Sequence, residues 1–214
     1  MSGQVQSIYP ADDFYADLRG EADHRIANSL SIISSLVRMR ARDGGQSDPV
    51  RLLLEVADRI ETIGKLHRFV AHSAKGDISI RDFLQEITSR LTGGLGTVDT
   101  VVDLNCESAS QVSPKAALPL GLITAELVSN SMKYAHPAGT PMKIAIACHA
   151  APNGLTYTYE DDGVGFPEHF DPTNPKGMGM RFINMLSQKL EAKPVWSGDD
   201  LGISFELSIP ATAL

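Results

Sequence analysis

Glu126-Leu127-Val128-Ser129-Asn130-Ser131-Met132-Lys133-Tyr134-Ala135 lies near the middle of a 214-residue chain. Residues three and four apart are neighbours on a helix, so Glu126, Asn130 and Lys133 share one face. That face suits a metal and a phosphate chain. Asn130 offers a neutral oxygen to Mg2+, which keeps several waters and takes few protein ligands. Lys133 offers a point charge to phosphate oxygens, and Glu126 can orient a water or a proton.

Working outward, the next segments are Asp161-Asp162-Gly163-Val164-Gly165 and Gly177-Met178-Gly179-Met180. Glycines at these positions allow close backbone approach and positive φ, and Asp161 can accept a hydrogen bond from the exocyclic amine of a base. A single Gly-x-Gly marks a turn more often than a phosphate cradle, so the order and spacing of the three segments carry the reading of a nucleotide site. The chain has no Gly-x-x-x-x-Gly-Lys-[Ser/Thr], which excludes a P-loop, and no Gly-x-Gly-x-x-Gly opening a helix after a strand, which leaves a dinucleotide fold unsupported. Only 11 residues, rich in proline and polar types, separate Gly165 from Gly177. They read as a short lid, with Lys176 within it and Arg181 just beyond it as further phosphate contacts.

These segments resemble the N box, G1 box and G2 box of the GHKL ATP-binding domain, over residues 78–210. The resemblance implies that ATP with Mg2+ binds through Asn130, Lys133, Asp161, Gly163, Gly165, Gly177 and Gly179, with Asn130 as metal ligand. It also implies an α/β sandwich with a mixed sheet under helices. Gly202-Ile203 stands where many relatives have Gly-Thr, at what reads as the far edge of the site. The periodicity agrees with the implied alternation. Helices are expected at Phe83–Leu91, Leu118–Tyr134 and Phe182–Leu190; strands are expected at Thr100–Leu104, Lys143–Cys148, Leu155–Tyr159, Lys193–Ser197 and Ile203–Ile209, with Gly198-Asp199-Asp200 as the last turn.

The first 75 residues have a different pattern. From Phe14 to Arg42 there is no proline, and Ala22, Ile26, Leu30, Ile33 and Val37 recur at helical spacing. Asp48-Pro49 then supplies a cap and a first-turn proline, and Leu53, Val56, Ile60, Ile63, His67 and Val70 form a second, coiled-coil-like seam. The short polar loop Asp43-Gly44-Gly45-Gln46-Ser47 predicts antiparallel helices. One such hairpin leaves an apolar stripe unburied, so two copies are expected to form a dimeric four-helix bundle. The fold class is therefore α+β, with a hairpin over residues 1–75 and a nucleotide domain over 76–214.

His24 lies about 200° around the wheel from Ile26, on the polar strip with Asn28, Ser31 and Ser35. Asp23 directly precedes it; a carboxylate beside an imidazole can hold one ring proton and raise the basicity of the other nitrogen. Taken alone, His24 reads as an ordinary surface histidine. Its neighbourhood, Asp23-His24-Arg25-Ile26-Ala27-Asn28-Ser29-Leu30, resembles the phosphoacceptor box of the HWE-like class of bacterial histidine kinases, and Arg59–His67 resembles the matching second helix. Thr158-Tyr159-Glu160 replaces the Trp-x-Glu of the strict subgroup. The resemblance implies autophosphorylation of His24 from ATP, with Asp23 as base or orienter, and transfer to an aspartate of a response-regulator receiver domain. A separate sensor protein is an allowed partner. Two other readings stand beside it: a histidine phosphotransferase shuttling phosphoryl groups between receivers without ATP, and a GHKL serine kinase of the anti-sigma type.

Composition sets outer bounds. A hydrophobic content of 43% supports a real core, and a net charge of −7 with scattered basic residues gives no footprint for nucleic acid or an anionic membrane. No apolar run reaches the length of a spanning helix and the N-terminus has no signal pattern, so the expected location is the cytoplasm. Cys106 and Cys148 are distant in sequence and no histidine pair has zinc spacing, so neither a disulfide nor a structural metal is expected. His67 reads as a buried histidine bonded to a polar neighbour, and His72, His136, His149 and His169 show no partner pattern.

Overall fold

The computed structural model describes residues 26–39, 49–72, 77–93, 99–107, 111–136, 139–172, 174–175 and 177–214. His24, Asp23, Lys176 and the loop at 43–47 lie outside them. Two helices come first: α1, helical over 26–39, and α2, Pro49–His72. Then follow β1 (Ile78–Ser79), α3 (Ile80–Thr92), β2 (Thr100–Cys106), β3 (Gln111–Val112), α4 (Pro114–Tyr134), β4 (Met142–Ala151), β5 (Gly154–Asp161), α5 (Met178–Lys189), β6 (Pro194–Asp199) and β7 (Gly202–Pro210). A five-stranded sheet runs β2-β4-β5-β7-β6. β2 is parallel to β4 and every other pairing is antiparallel, which makes it a mixed sheet.

Local sequence explains the helix starts. Ser113 caps α4 by accepting from the Ala116 amide at 3.2 Å, and Pro114 occupies the first turn, where its missing N–H costs nothing. Ser79 caps α3 through the Asp82 amide at 3.4 Å. α4 starts earlier than the expected Leu118 because this cap lies outside the apolar periodicity. The short pairing of Ile78 with Val112 and Ser79 with Gln111 also went unforeseen, since two-residue strands carry no alternation. The expected last turn shifts: β6 continues to Asp199, leaving Asp200-Leu201 at the tip.

The sheet presents one apolar face to the helices. On β5, Leu155, Tyr157, Tyr159 and Asp161 alternate inward, and Ile144, Ile146, Phe205, Leu207 and Ile209 extend that layer. Two buried tyrosines fasten this layer to α4. Tyr157 Oη lies 3.0 Å from Thr124 Oγ1 and Tyr159 Oη lies 2.8 Å from Ser131 Oγ. Thr124 and Ser131 are two helical turns apart on one face, matching the period-two strand below them. Burial raises both phenols well above the ordinary tyrosine range, so they stay neutral and hydrogen-bonded.

The N-terminal helices differ from the expected stripes in one respect. On α1 the buried residues are Ser29, Ile32 and Leu36, while Leu30 is 59% exposed and Ile26 and Val37 are also open. On α2 the seam divides: Ile63 and Val70 are buried, as is Leu66 outside the expected seam, whereas Leu53 is 70% exposed. The cause is packing within the chain. α2 lies against α4, and Phe69 meets Phe83 of α3 at 5.2 Å, so the second half of α2 finds its cover there. Among the described residues no helix is long and apolar enough to cross a membrane.

Candidate nucleotide site

The last three turns of α4 stand between two glycine segments. On one side α5 begins after its N-cap Gly177, and among the described residues no side chain caps its N-terminus. A Cβ built on Gly179 would lie 2.9 Å from Glu126 Oε2, 3.5 Å from Asn130 Oδ1 and 3.6 Å from Arg59 Nη2. Glu126 and Asn130, one turn apart on α4, therefore converge with the distant Gly179, and both side chains are partly buried. Lys133, one turn further on, is exposed. Arg181 occupies the first turn of α5, its amide bonded to the Gly177 carbonyl at 3.3 Å.

On the other side, the segment from Asp161 to Gly165 closes against the end of α4. Val164 donates its amide to the Ala135 carbonyl at 2.9 Å, and a Cβ on Gly163 would lie 2.4 Å from Ala135 Cβ. Gly165 has φ 70°, and a Cβ there would lie 1.9 Å from the Asp199 carbonyl oxygen, so its glycine is required by the backbone. Asp161 is buried and thoroughly engaged. Its Oδ1 accepts from the amides of Gly163 at 3.1 Å and Ile203 at 3.3 Å, and its Oδ2 accepts from Ser131 Oγ. A carboxylate so held presents a fixed acceptor, as recognition of an exocyclic amine requires.

Three features escaped the sequence reading. Gly202-Ile203 frames Asp161 instead of standing at the far edge of the site: the Ile203 amide reaches its carboxylate, and a Cβ on Gly202 would lie 1.8 Å from the Asp161 carbonyl oxygen. His136 has partners, with Nε2 2.8 Å from Asp162 Oδ1 and Nδ1 2.9 Å from Thr140 Oγ1. Asp162 also accepts from the Lys143 amide at 2.8 Å. Burial pushes the Asp162 carboxyl up, but the Lys143 amide and His136 outweigh it and hold the carboxyl below its ordinary value. The third is Arg59 of α2, whose Nε lies 2.6 Å from Glu126 Oε1 and whose Nη2 lies 2.9 Å from Oε2. That contact spans 67 residues, and no local spacing signals it.

Elsewhere the structure departs from simple expectation. His67 Nε2 is buried with no hydrogen-bond partner among the described residues, where a bonded histidine was expected. Cys106 and Cys148 are register neighbours on β2 and β4, both buried and free. The Cys106 sulfur and burial push the Cys148 thiol up. In the expected lid, Phe166 and Phe170 stack at 5.1 Å, and Phe166 meets Trp196 edge-on at 5.9 Å, so the first half of this segment rests on β6. A cavity of about 630 Å³ lined by Asp103, Lys143, Glu160 and Leu201 lies over the exposed side of β2, β4 and β5. Asp161 touches it, but neither Glu126 nor Asn130 does.

Asn130 and Glu126 place oxygens beside the uncapped start of α5, and a Cβ on Gly177 would meet nothing within 4 Å. A helix N-terminus with open backbone suits phosphate, and the amide oxygen of Asn130 suits Mg2+. The residues present thus fit a Mg-nucleotide.

Comparison with known proteins gives the same picture. A family described as histidine kinase matches residues 21–94, and one described as histidine kinase-like ATPase domain matches residues 87–201. The chain is 23% identical over 168 residues to the sensor histidine kinase PdtaS of Mycobacterium tuberculosis, covering 78% of this chain and 33% of that protein. It is 25% identical over 218 residues to the blue-light-activated histidine kinase 2 of Erythrobacter litoralis, covering 97% of this chain and 61% of that protein. The chain thus spans about a third of the mycobacterial relative and under two thirds of the other. Among solved structures, the histidine kinase domain of an Erythrobacter litoralis blue-light activated histidine kinase shares its fold. The TM-score is 0.68 at 24% identity, over 90% of this chain and 93% of that one.

Proposed function

The chain belongs to the histidine kinase-like ATPase family, and on that footing we propose that it is an ATP-dependent protein-histidine kinase of a two-component system. The observation that carries the reading is the convergence of Glu126, Asn130 and Gly179 at the uncapped start of α5, on the helix against which α2 of the hairpin packs. Buried residues of α1 and α2 belong to the same apolar core as the domain that carries the site.

In this reading residues 1–75 carry the phosphoacceptor and the dimer contact, and residues 76–214 bind ATP. Asn130 would hold Mg2+, which supplies charge neutralisation on the phosphate chain when bound. Lys133, Arg181 and Lys176 contact phosphate oxygens, the α5 N-terminus donates backbone N–H groups, and Asp161 selects the base. A neutral imidazole nitrogen of His24 forms a bond to the γ-phosphorus as the bond to the ADP oxygen breaks. Asp23 retains the proton on the other ring nitrogen. Catalysis is positioning plus electrostatic stabilisation. The phosphohistidine then passes its phosphoryl group to an aspartate of a receiver domain. The open residues Ile26, Leu30 and Val37 on α1, with Val50, Leu53 and Leu54 on α2, suit a second copy of the chain.

The test is incubation with γ-labelled ATP and Mg2+ for the parent, His24→Ala and Asn130→Asp. Acid-labile, alkali-stable label on the parent alone supports the reading. Undiminished label on His24→Ala refutes the assignment of the phosphoacceptor, and no label on the parent refutes the kinase.

A further inference from the structure

We infer that Arg59, on the second helix of the hairpin, is a positioning residue of the ATP site that holds Glu126 in place and so makes the site complete only while α2 is docked on α4. The inference rests on the kinase reading and deepens it.

The geometry is specific. Arg59 meets Glu126 with two parallel N–H···O bonds, Nε to Oε1 at 2.6 Å and Nη2 to Oε2 at 2.9 Å, across two helices packed against each other. Both side chains are mostly buried, at 16% and 12% exposure, so water screens the pair little. A planar guanidinium matches a carboxylate in two directions at once and fixes its plane as well as its distance, which a lysine cannot do. Arg59 Nη2 is also within 3.6 Å of where a Cβ on Gly179 would stand, close to Asn130 Oδ1. The guanidinium therefore belongs to the same small cluster as the metal ligand and the glycine segment.

The location gives the pair its function. Glu126 is an anion beside the place where a polyphosphate binds, and the like charges repel. A carboxylate on a flexible side chain would swing away from that charge when ATP entered. Arg59 holds the side chain against that swing, leaving the outward lone pairs of Glu126 to orient the reacting groups. Because Arg59 comes from the hairpin, any shift of α2 along α4 withdraws the restraint. A movement of the hairpin is thereby reported at the site of chemistry.

The test uses the full chain with labelled ATP and Mg2+, comparing the parent, Arg59→Gln, Arg59→Lys, Glu126→Gln and the double variant Arg59→Gln with Glu126→Gln. Arg59→Gln is expected to lower the saturating autophosphorylation rate about 10- to 100-fold. Its affinity for a non-hydrolysable ATP analogue should remain that of the parent. Arg59→Lys should recover part of the rate. In the Glu126→Gln background, Arg59→Gln should cost nothing more, because its effect runs through that carboxylate. An Arg59→Gln rate at or above the parent's would overturn the inference, as would a loss confined to nucleotide affinity or one that adds in full to that of Glu126→Gln. A parent that takes no label overturns the kinase reading and this inference together, whereas a parent that labels beside an indifferent Arg59→Gln overturns this inference alone.

Discussion

Replacing Gly177 with alanine separates a glycine kept for its ligand from one kept for the fold. Gly177 has φ −74° and ψ 145°, which any residue adopts, and a Cβ there meets nothing within 4 Å. Two small effects on stability oppose each other. Alanine restricts the unfolded chain and so stabilises by about 0.4–1 kcal/mol, while alanine at a helix N-cap is worse than glycine by roughly 0.5–1 kcal/mol. The variant should therefore unfold within about 1 kcal/mol of the parent. Gly163→Ala is the contrast: its Cβ would lie 2.4 Å from Ala135 Cβ and 2.6 Å from Ala135 Cα. Such overlap with backbone on a packed helix end costs about 1–3 kcal/mol or more. Urea denaturation measures both changes, and titration with a non-hydrolysable ATP analogue in Mg2+ measures the ligand. Gly177→Ala should keep parental stability and lose about tenfold in affinity, or ~1.4 kcal/mol, because the methyl group stands where phosphate approaches the first amides of α5. Parental affinity in a stable Gly177→Ala would refute the placement of phosphate at α5. A loss of several kcal/mol in stability would refute the structural premise.

Three further outcomes follow from the geometry. Asp162→Asn should remove about 1 kcal/mol of stability at neutral pH. The folded-state carboxyl is held below its ordinary value, so this difference is full above about pH 4 and shrinks as the pH falls below it; urea melts across an acid series measure it, and a difference constant to the lowest pH would contradict the assignment. Leu30→Asp combined with Leu53→Asp places charge on two open apolar helix faces, and light scattering should show the parent as a dimer and the variant as a monomer, whereas an unchanged mass would move the dimer contact elsewhere. Cys106 and Cys148 should be inert to a thiol-specific reagent in the native protein and react together on unfolding, since both are buried and the Cys148 thiol is held protonated; rapid native reaction would show that β2 opens locally from β4.

The sequence shows this molecule clearly wherever its determinants are local. The spacing of Glu126, Asn130 and Lys133 fixes a shared helix face, and the alternation at Leu155, Tyr157 and Tyr159 fixes which side of β5 is buried, because helical and strand periods are properties of a few successive residues. What it hides is set by pairing between distant segments. Nothing near Ile203 announces that its amide serves Asp161, 42 residues away, or that β2 and β4 bring two cysteines into register. The amphipathic stripes of α1 and α2 show the same limit in another form. Periodicity identifies an apolar residue at Leu53 and another at Ile63, yet it cannot say that the fold buries the second and leaves the first open. Arg59 is the sharpest instance. Read locally it is one of several charges on a helix of a separate hairpin; placed by the packing of α2 on α4, it becomes the partner of the one carboxylate on the N-box face. The local patterns thus define a nucleotide site of a known kind. The distant pairings decide how that site is joined to α2, since the residue that reaches Glu126 from outside its own helix comes from a segment 67 positions away.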